Sequence, residues 1–133
     1  MHLVYIAGPF RGATPFDVAQ NVRRAEFFGL LVGKAGAVPV IPHTMFANFD
    51  KSLPDAFWLD ATMDILKRCD GIVAIPGWQR STGAKAEVAW AEANLSHKCL
   101  FGETRDAWPT PESTAALGDF VAFMKAQVTP HGR

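Results

Sequence analysis

Two cysteines in 133 residues are too few for a disulfide-stapled scaffold. Cys69 falls at the end of a helical pattern and Cys99 inside a strand pattern, where a thiol reads as a small buried hydrophobe, so both are expected to be reduced. Charge of one sign is also lacking: 13 basic against 13 acidic residues leave a formal net charge of zero. No whole-molecule field is available to gather nucleic acid or an anionic membrane, so neither is expected as a partner and any anion site must be local. No window approaches the ~18 apolar residues of a membrane span. The chain opens MHLVYIAGP, without a basic start followed by a long apolar run, and a cytoplasmic location is the expectation. Repeats and low-complexity stretches are missing too. One domain over residues 1–128 with a short frayed tail over 129–133 is therefore expected.

What is present is an ordinary globular composition, 49% hydrophobic and 20% charged, punctuated by Gly and Pro. Leu3 to Ala7 is an apolar run closed by Gly8-Pro9, which suits a strand buried on both faces. From Asp17 to about Lys34, Val18, Val22, Ala25, Phe28 and Val32 recur at helical spacing, with Gly36 where a C-cap falls. Val38 to Ile41 predicts a second strand stopped by Pro42, and 43–54 reads as a loop because nothing in it keeps a period. Ala56 to Arg68 predicts a helix, Gly71 to Ile75 a strand closed by Pro76-Gly77, Gly83 to Leu95 an alanine-rich helix and Lys98 to Gly102 a fourth strand. Pro111 suits an N1 position before a closing helix over Glu112 to Gln127. The alternation predicts a single-domain, doubly wound α/β fold of the Rossmann or flavodoxin-like kind, with a mainly parallel sheet of four to five strands and helices on both faces.

In such sheets ligands bind beyond the carboxyl ends of the strands, so three loops are expected to share one crevice. In the first, Gly8 and Gly12 let backbone N–H groups approach a ligand, Pro9 fixes the turn, and Arg11 offers a planar fork of donors suited to phosphate. The alternative is a strand-ending turn with a solvated arginine. In the third, Ser81-Thr82-Gly83 precedes the alanine-rich helix, where hydroxyls and free N–H groups converge on a positive helix end; simple N-capping is the competing role. Glu87 lies one turn into that helix on the face of Ala84, Val88 and Ala91, which should turn toward the sheet. A carboxylate there is out of place unless it works, and the helix dipole is expected to keep it ionised. The alternative is an acid merely stabilised by the dipole.

Tyr5, the only tyrosine, sits among apolar residues of the first strand and needs a partner for its hydroxyl; a carboxylate in the crevice would serve. Asp60 and Asp64 stand four apart on one helix and are both candidates to face the site, whereas Asp70 reads as a cap of the turn into the third strand. His43 follows a strand end and can hydrogen-bond a ligand. No His or Cys stands at metal-ligand spacing to it, so no metal is expected. Trp58, Trp78 and Phe10 can stack on a base or serve as packing.

Together the segments Y5-I-A-G-P-F-R-G12 and P76-G-W-Q-R-S-T-G-A-K-A-E87 resemble the nucleoside 2-deoxyribosyltransferase-like superfamily, over the span from the first strand to the fourth. The resemblance implies that Glu87 is the nucleophile that takes the sugar and that Tyr5 orients it. It also implies an aspartate on the helix before the third strand to assist the departing base; Thr62 stands at that spacing, so Asp60 is taken for the role, with Asp64 behind it. Transferases acting on free nucleosides resemble one another in an aspartate where this chain has Ser81. Deoxynucleoside 5′-monophosphate N-glycosidases have Tyr-x-x-Gly-x-x-Arg-Gly and Ser-x-Gly-x-x-x-Glu, both reproduced here. The expectation is an N-glycosidase that hydrolyses the base–sugar bond of a nucleoside 5′-monophosphate without a cofactor, with Gly8, Pro9, Arg11, Gly12, His43, Asp64, Trp78, Ser81 and Gly83 around the substrate. The alternatives are a nucleoside 2-deoxyribosyltransferase, a cytokinin-type phosphoribohydrolase, of whose motif only part is present, and a non-catalytic nucleotide sensor. Similar folds pair so that a neighbour closes the site, and the Phe46, Phe49 and Phe57 region makes a homodimer the expected assembly.

Overall fold

A computed structural model describes residues 1–47, 51–104 and 107–127 of the chain. Phe49 and the 129–133 tail lie outside these. Four strands, β1 (Leu3–Ala7), β2 (Val38–Val40), β3 (Gly71–Ala74) and β4 (His97–Leu100), form one parallel sheet in the order β2-β1-β3-β4. The fold is the single α/β sheet expected from the alternation of elements.

The two central strands, β1 and β3, are the continuous apolar runs, because a strand covered on both faces has no side to leave polar. Edge strands β2 and β4 are only partly buried and carry Pro39, His97 and Lys98. Asp70 ties the two central strands at their starts: its carboxylate accepts from the Leu3 N–H at 2.7 Å, while its own N–H donates to the Leu3 carbonyl at 2.8 Å.

Helix α1 (Pro15–Ala35) follows β1, and α5 (Pro111–Ala126) closes the chain on the same face. There Ala25, Phe28 and Val32 of α1 meet Leu117, Val121 and Met124 of α5 over Val4, Ile6, Val73 and Ile75. On the other face α3 (Asp55–Leu66) and α4 (Thr82–Asn94) bring Leu66, Ala84, Val88 and Ala91 against Tyr5, Ala7, Ile72 and Ala74. The strand alternation therefore sorts β1 and β3 residues between two cores.

Boundaries moved where side chains cap. Helix α1 starts at Pro15 rather than Asp17, since Thr14 and Asp17 form a reciprocal capping box. Gly36 ends it at φ +107°, the left-handed conformation its position implied. Part of the expected 43–54 loop is helical: Pro42 opens the one-turn helix α2 (Pro42–Met45), a turn too short to leave a period in the sequence. A 3-10 turn over Trp78–Arg80 occupies the β3–α4 connection. No helix among the described residues is long and apolar enough to cross a membrane.

Candidate active site

Strands β1 and β3 are neighbours whose following helices depart to opposite faces, which opens a crevice beyond their carboxyl ends. The loops meet there. A Cβ on Gly8 would lie 2.4 Å from Ile75 Cγ1, so only glycine lets β1 end against β3. Gly77, at φ +98°, has room for a Cβ only 3.3 Å from Pro9 Cγ, which places the third loop beside the first. Gly12 packs in the same way, with 2.4 Å between a Cβ and Asp17. Gly8 and Gly12, expected to make room for a ligand, thus make room for the protein's own chain. Gly83 differs, for a Cβ there would sit 3.4 Å from Leu59 Cδ2, an ordinary contact.

Under the crevice, on the α3/α4 face, the Tyr5 hydroxyl donates a short hydrogen bond to Glu87 Oε2, across 82 residues of sequence. The face of Ala84, Val88 and Ala91 does turn to the sheet, and it carries the Glu87 carboxyl with it. Thr62 of α3 stands beside the group, and its hydroxyl acts to lower the pKa values of both Tyr5 and Glu87. That hydroxyl also lies 3.2 Å from the Leu59 carbonyl, an alternative acceptor for its one proton.

Burial governs the electrostatics of this group. It raises the Glu87 carboxyl from 4.5 to about 7, against the lowering effect of the hydrogen bonds from Tyr5 and Thr62. The expectation that the helix end keeps Glu87 ionised meets an opposing effect, since loss of water disfavours the charged carboxylate. The Tyr5 phenol is pushed well above its usual range, first by burial and then by the charge of Glu87, so it stays a donor. Burial likewise pushes the Cys69 and Cys99 thiols up to about 11, which leaves neither as a thiolate nucleophile. Both cysteines are free.

Among the described residues, neither the Asp60 nor the Asp64 side chain is hydrogen-bonded to Tyr5, Thr62 or Glu87. Both are exposed, and each is two residues from Thr62, about 200° around the helix at 3.6 residues per turn. If Thr62 faces Glu87, they face away. The i, i+4 spacing did put the two aspartates on one side, but on the solvent side.

Around the crevice, Ser81 is the N-cap of α4, accepting from the Ala84 N–H at 3.2 Å; its hydroxyl proton and the first N–H groups of the helix, Thr82 and Gly83, have no intrahelical acceptor. Arg11 Nη2 is paired with Asp55 Oδ2 at 2.8 Å, both side chains largely exposed, so in this state the guanidinium is held by the start of α3. Trp78 is structural: its indole N–H donates to the Phe101 carbonyl at 2.7 Å, with Gln79 donating to the same oxygen at 3.1 Å. Its ring packs on the α3/α4 core. Phe46, Phe57 and Trp58 form a contiguous aromatic cluster, with Phe46 and Trp58 ring centres 4.9 Å apart.

His43 is buried, and its Nε2 lies 3.1 Å from the Gly8 carbonyl and 3.0 Å from that of Pro9. Two acceptors fix the proton on Nε2, and burial lowers the ring's pKa, so His43 is neutral. It holds the first loop rather than offering that nitrogen to a ligand. Asn21 of α1, which no sequence pattern singled out, holds the next two residues: its Nδ2 donates to the Phe10 carbonyl at 3.1 Å and the Arg11 carbonyl at 3.0 Å. No group of three or more His, Cys, Asp or Glu side chains able to hold a metal ion occurs among the described residues.

A family model described as a domain of unknown function, DUF7768, matches residues 2–98. That span contains Tyr5, Thr62, Glu87 and all three crevice loops, and leaves α5 outside. No curated protein matches the chain.

Proposed function

The chain belongs to the DUF7768 family, and from that premise we propose that it is a cytoplasmic N-glycosidase, hydrolysing the base–sugar bond of a nucleoside 5′-monophosphate with Glu87 as nucleophile. The observation that carries this reading is the hydrogen bond from the buried Tyr5 hydroxyl of β1 to the half-buried Glu87 carboxyl of α4. A carboxyl raised to about 7 costs the fold stability, and perturbed carboxyls of this kind concentrate at functional sites.

In the proposed reaction the Glu87 carboxylate attacks C1′, and the base leaves with the electron pair of the C–N bond. Tyr5 donates to the oxygen that does not attack and holds the carboxyl in line. With Asp60 and Asp64 turned to solvent, the proton taken up by the base comes from water. A second water then adds at C1′, giving its proton to the hydroxide left by the first, which releases the sugar phosphate and restores the Glu87 carboxylate. The 5′-phosphate sits at the α4 N-terminus, contacted by Ser81 and the Thr82 and Gly83 N–H groups, with Arg11 reaching it after leaving Asp55. The exposed apolar side chains Leu53, Phe57 and Leu59 at and near the start of α3 are assigned to a homodimer contact, which sedimentation equilibrium would test.

The test is release of free base from ribo- and deoxyribonucleoside 5′-monophosphates and the matching nucleosides, followed by chromatography. Release from monophosphates, lost in Glu87→Ala, is the expected result. Release that survives in Glu87→Ala would sink the assignment, and binding without release in the wild-type protein would replace it with a nucleotide sensor.

A further inference from the structure

Buried residues run along α1 from Asn21 to Val32, along α4 from Ala84 to Ala91 and along α5 from Leu117 to Met124. In α3 the one buried residue, Leu66, is the last of the helix. Just beyond it Cys69 is buried, and Asp70 is bonded twice to Leu3 of β1. At the other end Asp55, Ala56, Phe57, Leu59 and Asp60 are exposed, and the Pro54 N-cap has no side-chain acceptor for the first N–H groups. Helix α3 is therefore clamped where it ends and loose where it begins.

What it covers is the Tyr5–Glu87 pair. Asp55, Leu59, Thr62 and Leu66 fall within about 60° of one another around the helix. Leu66 packs in the core that holds Tyr5, and the Thr62 hydroxyl bears on both Tyr5 and Glu87. Leu59 Cδ2 lies 3.4 Å from the Cβ position of Gly83, at the start of α4. This face of α3 thus runs over Glu87 from the core to the rim of the crevice. At the rim Asp55 Oδ2 meets Arg11 Nη2 of the first loop at 2.8 Å. Segments with few buried apolar contacts open locally at free energies far below that of global unfolding, and an ion pair across such a segment shifts that opening. We propose that α3 is a lid over Glu87 that swings on its Leu66–Asp70 end, and that the Arg11–Asp55 pair is the latch holding it closed.

Closed, the lid limits the water that reaches Glu87; open, it lets a ligand reach the carboxyl. Arg11 leaving Asp55, as in the reaction above, unlatches it. The lid itself is a property of the chain and does not rest on the nucleotide reading.

The test is amide hydrogen exchange on the full chain without ligand, read by NMR. A second copy seated on Leu53, Phe57 and Leu59 would bear on this same half of α3, so exchange is read at one protein concentration whose assembly state sedimentation has set. In the wild type the amides of Leu59 to Thr62 should be about tenfold or more less protected than that of Leu66. Arg11→Gln leaves the sequence of α3 intact. It should raise exchange at Leu59 to Thr62 by about two- to fivefold, the range an exposed ion pair supplies, without changing Val88 or Ala91 of α4. Adding Arg11→Gln to Asp55→Asn should raise it no further than Asp55→Asn alone, since both remove one contact. Labelling of the Glu87 carboxyl by a carbodiimide and an amine, located by peptide mass spectrometry, should rise in Arg11→Gln by the same factor. Protection that is uniform along α3, exchange unchanged in Arg11→Gln, or exchange raised equally in α4 would overturn the proposal. So would faster exchange with unchanged labelling of Glu87, because α3 would then move without uncovering it. No readout involves a nucleotide, so failure here leaves the N-glycosidase reading standing.

Discussion

On the α1/α5 face of the sheet the core is built around Phe28, Val32, Leu117, Val121 and Met124, whereas on the α3/α4 face it includes Tyr5, whose hydroxyl meets the Glu87 carboxyl. The first face is built for stability. Its helices have capping boxes at Thr14 and Thr110, and α1 and α5 lean on each other as well as on the sheet. The second face carries a carboxyl whose charged form burial disfavours. Only Leu66 of α3 is fully buried, so the helix that brings Thr62 to Glu87 is the more lightly anchored one. Stability drawn from one side of a sheet thus tolerates a desolvated acid on the other.

The largest effect expected from breaking this contrast comes from Glu87 itself. Glu87→Gln should lower base release by about three orders of magnitude or more, as loss of a nucleophile does. On the opposite face Phe28→Ala, a fully buried ring replaced by a cavity, should cost about 3–5 kcal/mol in urea unfolding. It should leave the pH dependence of any base release by the folded protein unmoved. A shifted profile would mean that the two faces are coupled.

Glu87→Gln should also be more stable than the wild type, in a pH-dependent way. The folded carboxyl sits at about 7 against 4.5 for the ordinary value. A raised pKa contributes stability that is fully present below the unfolded value and is lost as pH rises through the folded one. Between pH 5 and pH 8 the gap in favour of Glu87→Gln should therefore widen, by up to about 3 kcal/mol at about 1.4 kcal/mol per pKa unit. Melting curves across that range would show it, and a constant gap would mean that Glu87 is not desolvated.

Tyr5→Phe and Thr62→Val remove hydrogen bonds that hold the carboxyl down, so both should move the acid limb of the rate profile from near pH 7 to higher pH. Tyr5→Phe should also lower the rate by about ten- to a hundredfold, and Thr62→Val by less. Asp55→Asn has the smallest expected effect. Freeing Arg11 from an exposed pair should tighten monophosphate binding by about two- to fivefold at low salt, and less at high salt.

Much of the fold was legible because it rests on local pattern. β1 was readable as Leu3–Ala7 and β3 as beginning at Gly71, since strands buried on both faces are apolar throughout. Helix α2 was not, because one turn has no period, and the start of α1 was missed because Thr14 acts through its side chain rather than through periodicity. In the site, the anomaly of Glu87 on an apolar face and the need of Tyr5 for a partner were both visible. Thr62 carried no such mark, and Asp60 and Asp64, chosen by residue type, both lie exposed.

The sequence by itself determined where strands and helices lie, which of their faces are apolar, and that one glutamate sits on such a face, because hydrophobic period and capping act over a few residues. The tertiary structure decided which polar groups meet. Tyr5 finds Glu87 across 82 residues, and His43 and Asn21 converge on one loop from different elements. It also decided the charge state of Glu87, because a pKa is set by how far neighbours distant in sequence exclude water, and no local pattern encodes that.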